Sequence, residues 1–191
     1  RAFVVGLAGQ LVFWIGQASF FLVLALYLQS GRVLDALGAG LLFTAYGAGY
    51  LLTSMTAGRI ARRLGRQVIA MGALLMVVGL ALLGAAVIIG GDSASVRWLI
   101  PGLVVDGAGM GLAVAPLAST VLARMHPEYA GSASGVLSTA LHIGNALGVA
   151  LIGIVFYHGL AGAGYGAAFT HSLVFLLAIA AVLIALTQAL P

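Results

Sequence analysis

Cysteine and lysine are both absent from this chain of 191 residues, and acidic residues number only four. Without cysteine there is neither a disulfide framework nor a thiolate metal site. Charged residues make up 6% of the sequence, against roughly 25% in a soluble domain. So few charges cannot cover the surface of a water-soluble protein of this size. The net charge of +4 raises nucleic acid as a partner, but no long basic face exists and the aromatics lie in apolar runs, which argues against one. What the chain has in abundance is hydrophobic residues, 63% of the total. It reads as an integral membrane protein.

Charge-free runs set out the spans. Residues 2–31, 36–58 and 67–91 contain no Asp, Glu or Arg, and residues 98–123 contain only Asp106. The tail, 129–191, is free of charge for 63 residues, too long for one crossing. It breaks at "GLAGAGYG", Gly159–Gly166, where glycines after His158 signal a turn. Six helices follow, at about 3–28, 37–58, 67–89, 98–121, 131–157 and 168–189. Each is long enough for a hydrocarbon core of roughly 30 Å at about 1.5 Å per residue. Barrel strands would alternate polar and apolar residues, and these runs do not. The first run is too long for a cleaved signal and leads into further spans.

Half of the arginines sit in one short stretch, "GRIARRLGRQ", as Arg59, Arg62, Arg63 and Arg66. With six spans, both termini and the loops after helices 2 and 4 share a side, which carries Arg1, these four and Arg124. The other side carries Arg32 and Arg97. The positive-inside rule places the richer side in the cytoplasm. One reading of the stretch is a topology anchor that touches lipid phosphate. Another is a cytoplasmic gating loop: Gly58 and Gly65 bracket a tight connection, and one helical turn presents the guanidinium groups together to neighbouring carboxylates or helix C-termini.

The helices differ in polarity. Helices 3 and 6 are apolar all round from Val68 to Gly91 and from Leu173 to Leu186, and are expected at the periphery, facing lipid. Helix 1 carries Gln10, Trp14, Gln17 and Phe21 at helical spacing, a stripe suited either to amphipathic ligands or to hydrogen-bonded helix packing. Helix 4 carries Asp106 among Gly107, Gly109, Gly111 and Pro116, a run expected to weaken its rigidity. Nine residues beyond Arg97, Asp106 lies roughly 13 Å deep, where an ionised carboxylate costs about 2.5–3.5 kcal/mol. It is therefore expected to face the bundle or a wet cavity, to carry a proton or attract a cation, or else to hydrogen-bond a neighbouring helix. Helix 5 sets Ser138, His142 and Asn145 on one face, for proton transfer or for packing. Its Gly131-x-x-x-Gly135 and Gly144-x-x-x-Gly148 pairs are expected at helix contacts. Polar, small and apolar helices thus repeat with a period of three, the pattern of a 3+3 inverted repeat.

The spacing G-x-x-x-x-R-x-G-R, carried by Gly58, Arg63, Gly65 and Arg66, resembles the loop motif of the major facilitator superfamily. The acidic residue of that motif is replaced here by Arg62. "LYLQ" at 26–29, "GAG" at 38–40, "PGLVVDGAGMG" at 101–111 and "AGSASGVLSTALHIGNALGVALIG" at 130–153 resemble the second half of fourteen-helix drug:proton antiporters. His142 stands where that family commonly has Gln, and Asn145 where it often has Gly. The resemblance implies a secondary transporter in a bacterial-type inner membrane, exporting amphipathic small molecules in exchange for protons. Its partners would be substrate, protons, the bilayer and an N-terminal half missing from this chain, in keeping with Arg1 in place of Met. No cofactor or metal is implied. The alternatives are a non-transporting scaffold or receptor on the same fold, and an intramembrane serine protease suggested by Ser132–Gly135, "SASG". The protease requires a base about 3 Å from Ser134, yet His158 is roughly 36 Å of helix away and His142 is two turns off. The chain is accordingly read as not an enzyme.

Overall fold

The computed structural model describes residues 2–91, 94–122, 128 and 130–188. Arg1 and Arg124, used above to orient the chain, lie outside the described residues. Six helices are long and apolar enough to cross a membrane, and among the described residues there are no strands. Helix α1, Ala2–Leu26, continues through a wider turn, Tyr27–Gly31, closed by the Arg32 N–H on the Tyr27 carbonyl five residues back. Helix α2, Ala36–Leu64, starts where the Asp35 carboxylate accepts the Gly38 N–H at 2.8 Å, satisfying a backbone donor that the helix leaves free.

Helix α2 runs six residues past the expected end at 58, so the arginines ride on its last two turns and the connection shrinks to Gly65 and Arg66. Gly65 ends it at φ +55°, a backbone that side chains with a Cβ rarely adopt. Helix α3 is Gln67–Gly90; a short turn, Val96–Leu99, leads into α4, Ile100–Leu122.

Ala130–Gln188 is helical almost throughout yet cannot be one rod. A Cβ on Gly159 would sit 3.1 Å from Ala168 Cα, whereas nine residues of straight helix span about 13 Å. The backbone reverses at Gly164, where φ is +82°, inside the expected turn. The two arms are α5, Gly131–Gly162, and α6, Gly164–Gln188.

The packing is that of two inverted triplets. Helix α5 lies against α1, and α2 against α4, so the second helix of each triplet packs on the first helix of the other. Likewise α3 packs on α4, and α6 on α1, where Tyr27 and Phe169 stack at 4.4 Å. Helices α1 and α4 are the most enclosed, α2 and then α5 the least. Polarity alone had pointed to helices 3 and 6 as the outer ones. In fact α3 buries one full face, Ile69, Ala73, Leu80 and Leu83 included, and exposes Met71, Leu74, Val78 and Leu82 on the other.

The core falls into two apolar clusters. One gathers Phe20, Leu24, Leu28, Leu103, Phe156 and Phe169; the other Phe13, Ile69, Leu112, Leu117 and Leu183. The residues of interest for function lie where the two clusters meet.

Candidate substrate and proton pathway

The stripe of α1 divides between several environments. Trp14 donates its indole N–H to Gln10 Oε1 at 3.0 Å, one turn back. Gln17 is buried, and its carbonyl oxygen accepts the Tyr46 hydroxyl of α2 at 2.8 Å. Its amide nitrogen finds only the Met76 sulfur of α3, at 4.0 Å. Phe21 is half-buried in a ring cluster with Phe20, Phe43 and Tyr46. Amides in an apolar bundle need partners. Gln17 has one good partner and one poor one.

Asp106 sits in the second turn of α4, only 2% exposed. Its Oδ1 is buried and has no hydrogen-bond partner among the described residues. The carboxyl opens on a cavity of ≈ 20 Å³, lined also by Gln17, Phe13, Phe20, Met76, Leu80 and residues of α6. That volume suffices for about one water molecule. Beside the cavity α3 and α4 approach closely at Gly79, where a Cβ would lie 2.6 Å from Asp106 Cβ. Two polar groups that are 89 residues apart in sequence, Gln17 and Asp106, thus line one cavity between the apolar clusters.

His142 and Asn145 do not join them. His142 is exposed on the outward face of α5 with Ser138, and Asn145 is half-buried. On the opposite face of α5, Gly144 and Gly148 lie against α1: Cβ atoms there would come within 3.0 Å of the Leu11 oxygen and 2.4 Å of the Ile15 oxygen. The Ser19 hydroxyl donates to the Gly148 carbonyl at 3.0 Å across that seam. Gly131 and Gly135 differ from this pair. They are exposed, and nothing lies within 4 Å of where their Cβ atoms would be, so they make no helix contact among the described residues. Ser134 turns its hydroxyl back to the Gly131 carbonyl at 2.7 Å.

The glycines of α4 lie at helix contacts. A Cβ at Gly107 would meet the Tyr46 carbonyl oxygen of α2 at 2.1 Å, and one at Gly109 would meet that of Gly72 on α3 at 2.5 Å. Through this run and Pro116 the helix continues unbroken to Leu122. At the end of α2, Arg59, Arg62 and Arg63 are exposed and, with Thr56 and Ile60, frame a surface hollow of ≈ 640 Å³ that no acidic side chain lines. Gly58 faces open space, and Arg66 is half-buried at the α3 start.

Two contributors were not picked out from sequence. Tyr46 bonds to Gln17 and also approaches the Met110 sulfur at 3.0 Å. Its signal was a tyrosine in mid-span, one turn before Tyr50 and away from the interfacial belt where tyrosine is usually found. Arg32 donates to the carbonyls of Gly91 and Ala94, tying the α1–α2 connection to the α3–α4 connection.

Residues 6–190 match the Major Facilitator Superfamily. The chain belongs to this superfamily. Its six helices in two inverted triplets are one half of a major facilitator fold. The chain is 32% identical over 164 residues to a probable actinorhodin transporter of Streptomyces coelicolor, an alignment covering 84% of this chain and 28% of that protein. It is 38% identical over 106 residues to a cephamycin export protein of Amycolatopsis lactamdurans, covering 52% of this chain and 21% of that one. Over 57 residues it is 40% identical to a puromycin resistance protein of Streptomyces alboniger, 30% and 11% of the two lengths. The chain therefore spans less than a third of each of these relatives.

Proposed function

We propose that this chain is the second half of a proton-coupled exporter of amphipathic small organic molecules, working by alternating access in a bacterial inner membrane. The similarity to a transporter, an export protein and a resistance protein carries the reading. The outward faces of α2 and α5 support it. On α2, Gly40, Thr44 and Gly47 recur at helical spacing, all exposed, and among the described residues nothing from another helix lies within 4 Å of where a Cβ on either glycine would be. Gly131, Gly135, Ser138 and His142 do the same on α5. Lipid is best met by large apolar side chains, whereas small ones let another helix approach. These faces are where the other half of the transporter docks and rocks.

In this reading Trp14, Phe21, His142 and Asn145 contribute to the substrate path, Gln10 holds Trp14 in place, and Gln17 and Asp106 serve the proton. Both ends of the chain and the Arg59–Arg66 segment are cytoplasmic, with the arginines meeting carboxylates of the other half or lipid phosphate. The test is expression of the full-length protein in a drug-sensitive host, with a fluorescent amphipathic dye, actinorhodin, puromycin and a cephamycin as candidate substrates. Accumulation of at least one compound should fall, and an uncoupler of the proton gradient should restore it. Unchanged accumulation of every compound would favour a non-transporting role.

A further inference from the structure

We propose that Asp106 and Gln17 form a proton-operated clasp between α4 and α1, relayed to α2 through the Tyr46 hydroxyl. Two hydrogen-bonding capacities on one cavity are unmet. Among the described residues Asp106 Oδ1 has no partner, and the Gln17 amide nitrogen has only a sulfur at 4.0 Å, a poor acceptor at the limit of contact. The Gln17 carbonyl oxygen is committed to the Tyr46 hydroxyl. One end of the amide is therefore fixed by α2 while the other is free to serve α4.

The protonation state of Asp106 decides whether it does. A neutral carboxyl can lie in this apolar site at modest cost, and the structure, with no donor on Oδ1, has the arrangement of that form. When the carboxyl gives its proton to water, the carboxylate left behind needs donors. The neighbouring groups offer few. Helix α1 presents Gln17, α2 presents the Tyr46 phenol with Tyr50 beyond it, and α3 and α6 present only Met76 and apolar side chains. No arginine or histidine lines the cavity. The Gln17 N–H groups are the available donors, directly or through the one water that the cavity can admit. A charge-assisted bond from Gln17 then completes a chain from Tyr46 to Gln17 to Asp106, in which each bond polarises the next. Deprotonation closes the clasp and protonation opens it.

A metal ion such as sodium fits the site less well. A hard cation requires about six oxygen ligands, and the cavity offers one carboxyl and an amide oxygen already in use. Because Asp106 is only 2% exposed, its proton exchanges with solvent when α1 and α4 part. Proton exchange is thereby tied to helix movement, and Tyr46 carries the change to α2, the least enclosed helix.

This inference deepens the proton-coupled reading above, but its test needs neither substrate nor transport. Infrared difference spectra of the purified full-length protein, taken across a pH titration, follow the protonated-carboxyl band. A band present at low pH, lost on titration and missing in Asp106→Asn identifies the site. Gln17→Met keeps the length and removes the donor, so the midpoint should move by about one pH unit or more, a tenfold change in proton affinity. Tyr46→Phe deletes only the relay hydroxyl and should move the midpoint by less, in the same sense. A band that does not titrate, or that survives in Asp106→Asn, overturns the proton site. A midpoint unmoved in both Gln17→Met and Tyr46→Phe overturns the clasp. Loss of export with the titration intact would sink only the exporter reading.

Discussion

Glycine does opposite work on α4 and on the outward faces of α2 and α5. On α4 every glycine is met: Gly102 by Leu83 and the Gly79 carbonyl, Gly107 by Tyr46, Gly109 by Gly72, and Gly111 by Thr53 and Tyr50. On the outward faces, Cβ atoms at Gly40, Gly47, Gly58, Gly131 and Gly135 would meet nothing within 4 Å among the described residues. A glycine in a helix interior costs roughly 0.5–1 kcal/mol relative to alanine, so a set of them signals close approach by something. For α4 that something is inside this chain. For α2 and α5 none of the described residues supplies it, and composition alone could not have told the two sets apart.

The largest expected effect is at a met glycine. Gly107→Leu would drive a side chain into the Tyr46 carbonyl, 2.1 Å from the Cβ position, and separate α2 from α4. Overpacking of this kind costs about 3 kcal/mol, enough to remove most folded protein. Size-exclusion profiles in detergent should show aggregation for Gly107→Leu and a monodisperse peak for Gly47→Leu. Equal behaviour of the two variants would erase the distinction between the faces.

Gly144 and Gly148 come next, because they seat α5 on α1. Replacing both with Leu should leave membrane insertion intact while wedging α5 outward, with loss of the Ser19 bond to the Gly148 carbonyl. Export by the full-length protein should disappear. Full export in the double mutant would mean that the seam tolerates about the width of a side chain, contrary to its close backbone approach.

A smaller and more selective effect is expected for Gly47→Leu combined with Gly135→Leu. Among the described residues nothing lies within 4 Å of either Cβ position, so the six-helix half should keep its thermal stability to within about 0.5 kcal/mol. If these faces meet the rest of the transporter, co-purification of the two halves expressed as separate chains should fall. Undiminished pairing would turn the faces toward lipid.

How far the sequence could be read follows from the same contrast. The number of spans was legible because a membrane core demands about 20 apolar residues whatever packs around them. The end of α2 was not. Arginine is a good helix former and can extend its charge to water from a helical backbone, so charge at Arg59 marked the edge of the membrane rather than the edge of the helix. Gln17 and Asp106 were legible as costly groups at membrane depth. Their shared cavity was not, since it depends on which face of α1 turns to α4 and on the close approach of α3 and α4 at Gly79, a residue indistinguishable in sequence from other membrane glycines. His142 and Gln17 looked alike as polar residues in apolar helices, yet one is exposed and the other buried.

The smallest effect tests the comparison at a loop instead of a seam. Arg32 and Arg97 were equivalent in sequence, each the one arginine of its connection, on the same side of the membrane and with one aspartate nearby, Asp35 or Asp92. In the structure they are not. The Arg32 guanidinium donates to the Gly91 and Ala94 carbonyls, which close the end of α3 and precede α4. The Arg97 side chain is exposed and makes no hydrogen bond among the described residues; its backbone N–H donates to the Ser95 hydroxyl at 3.4 Å and its carbonyl accepts the Ile100 N–H. Helix C-terminal carbonyls lack intrahelical partners, so a guanidinium that caps them stabilises the connection, by about 1 kcal/mol at this partly exposed site. Arg32→Gln keeps a donor but shortens the reach and removes the charge. It should lower the thermal midpoint of the purified protein by a few degrees, while Arg97→Gln leaves it unchanged. Equal shifts in the two variants would show that net charge on that side matters and that the Arg32 contact does not.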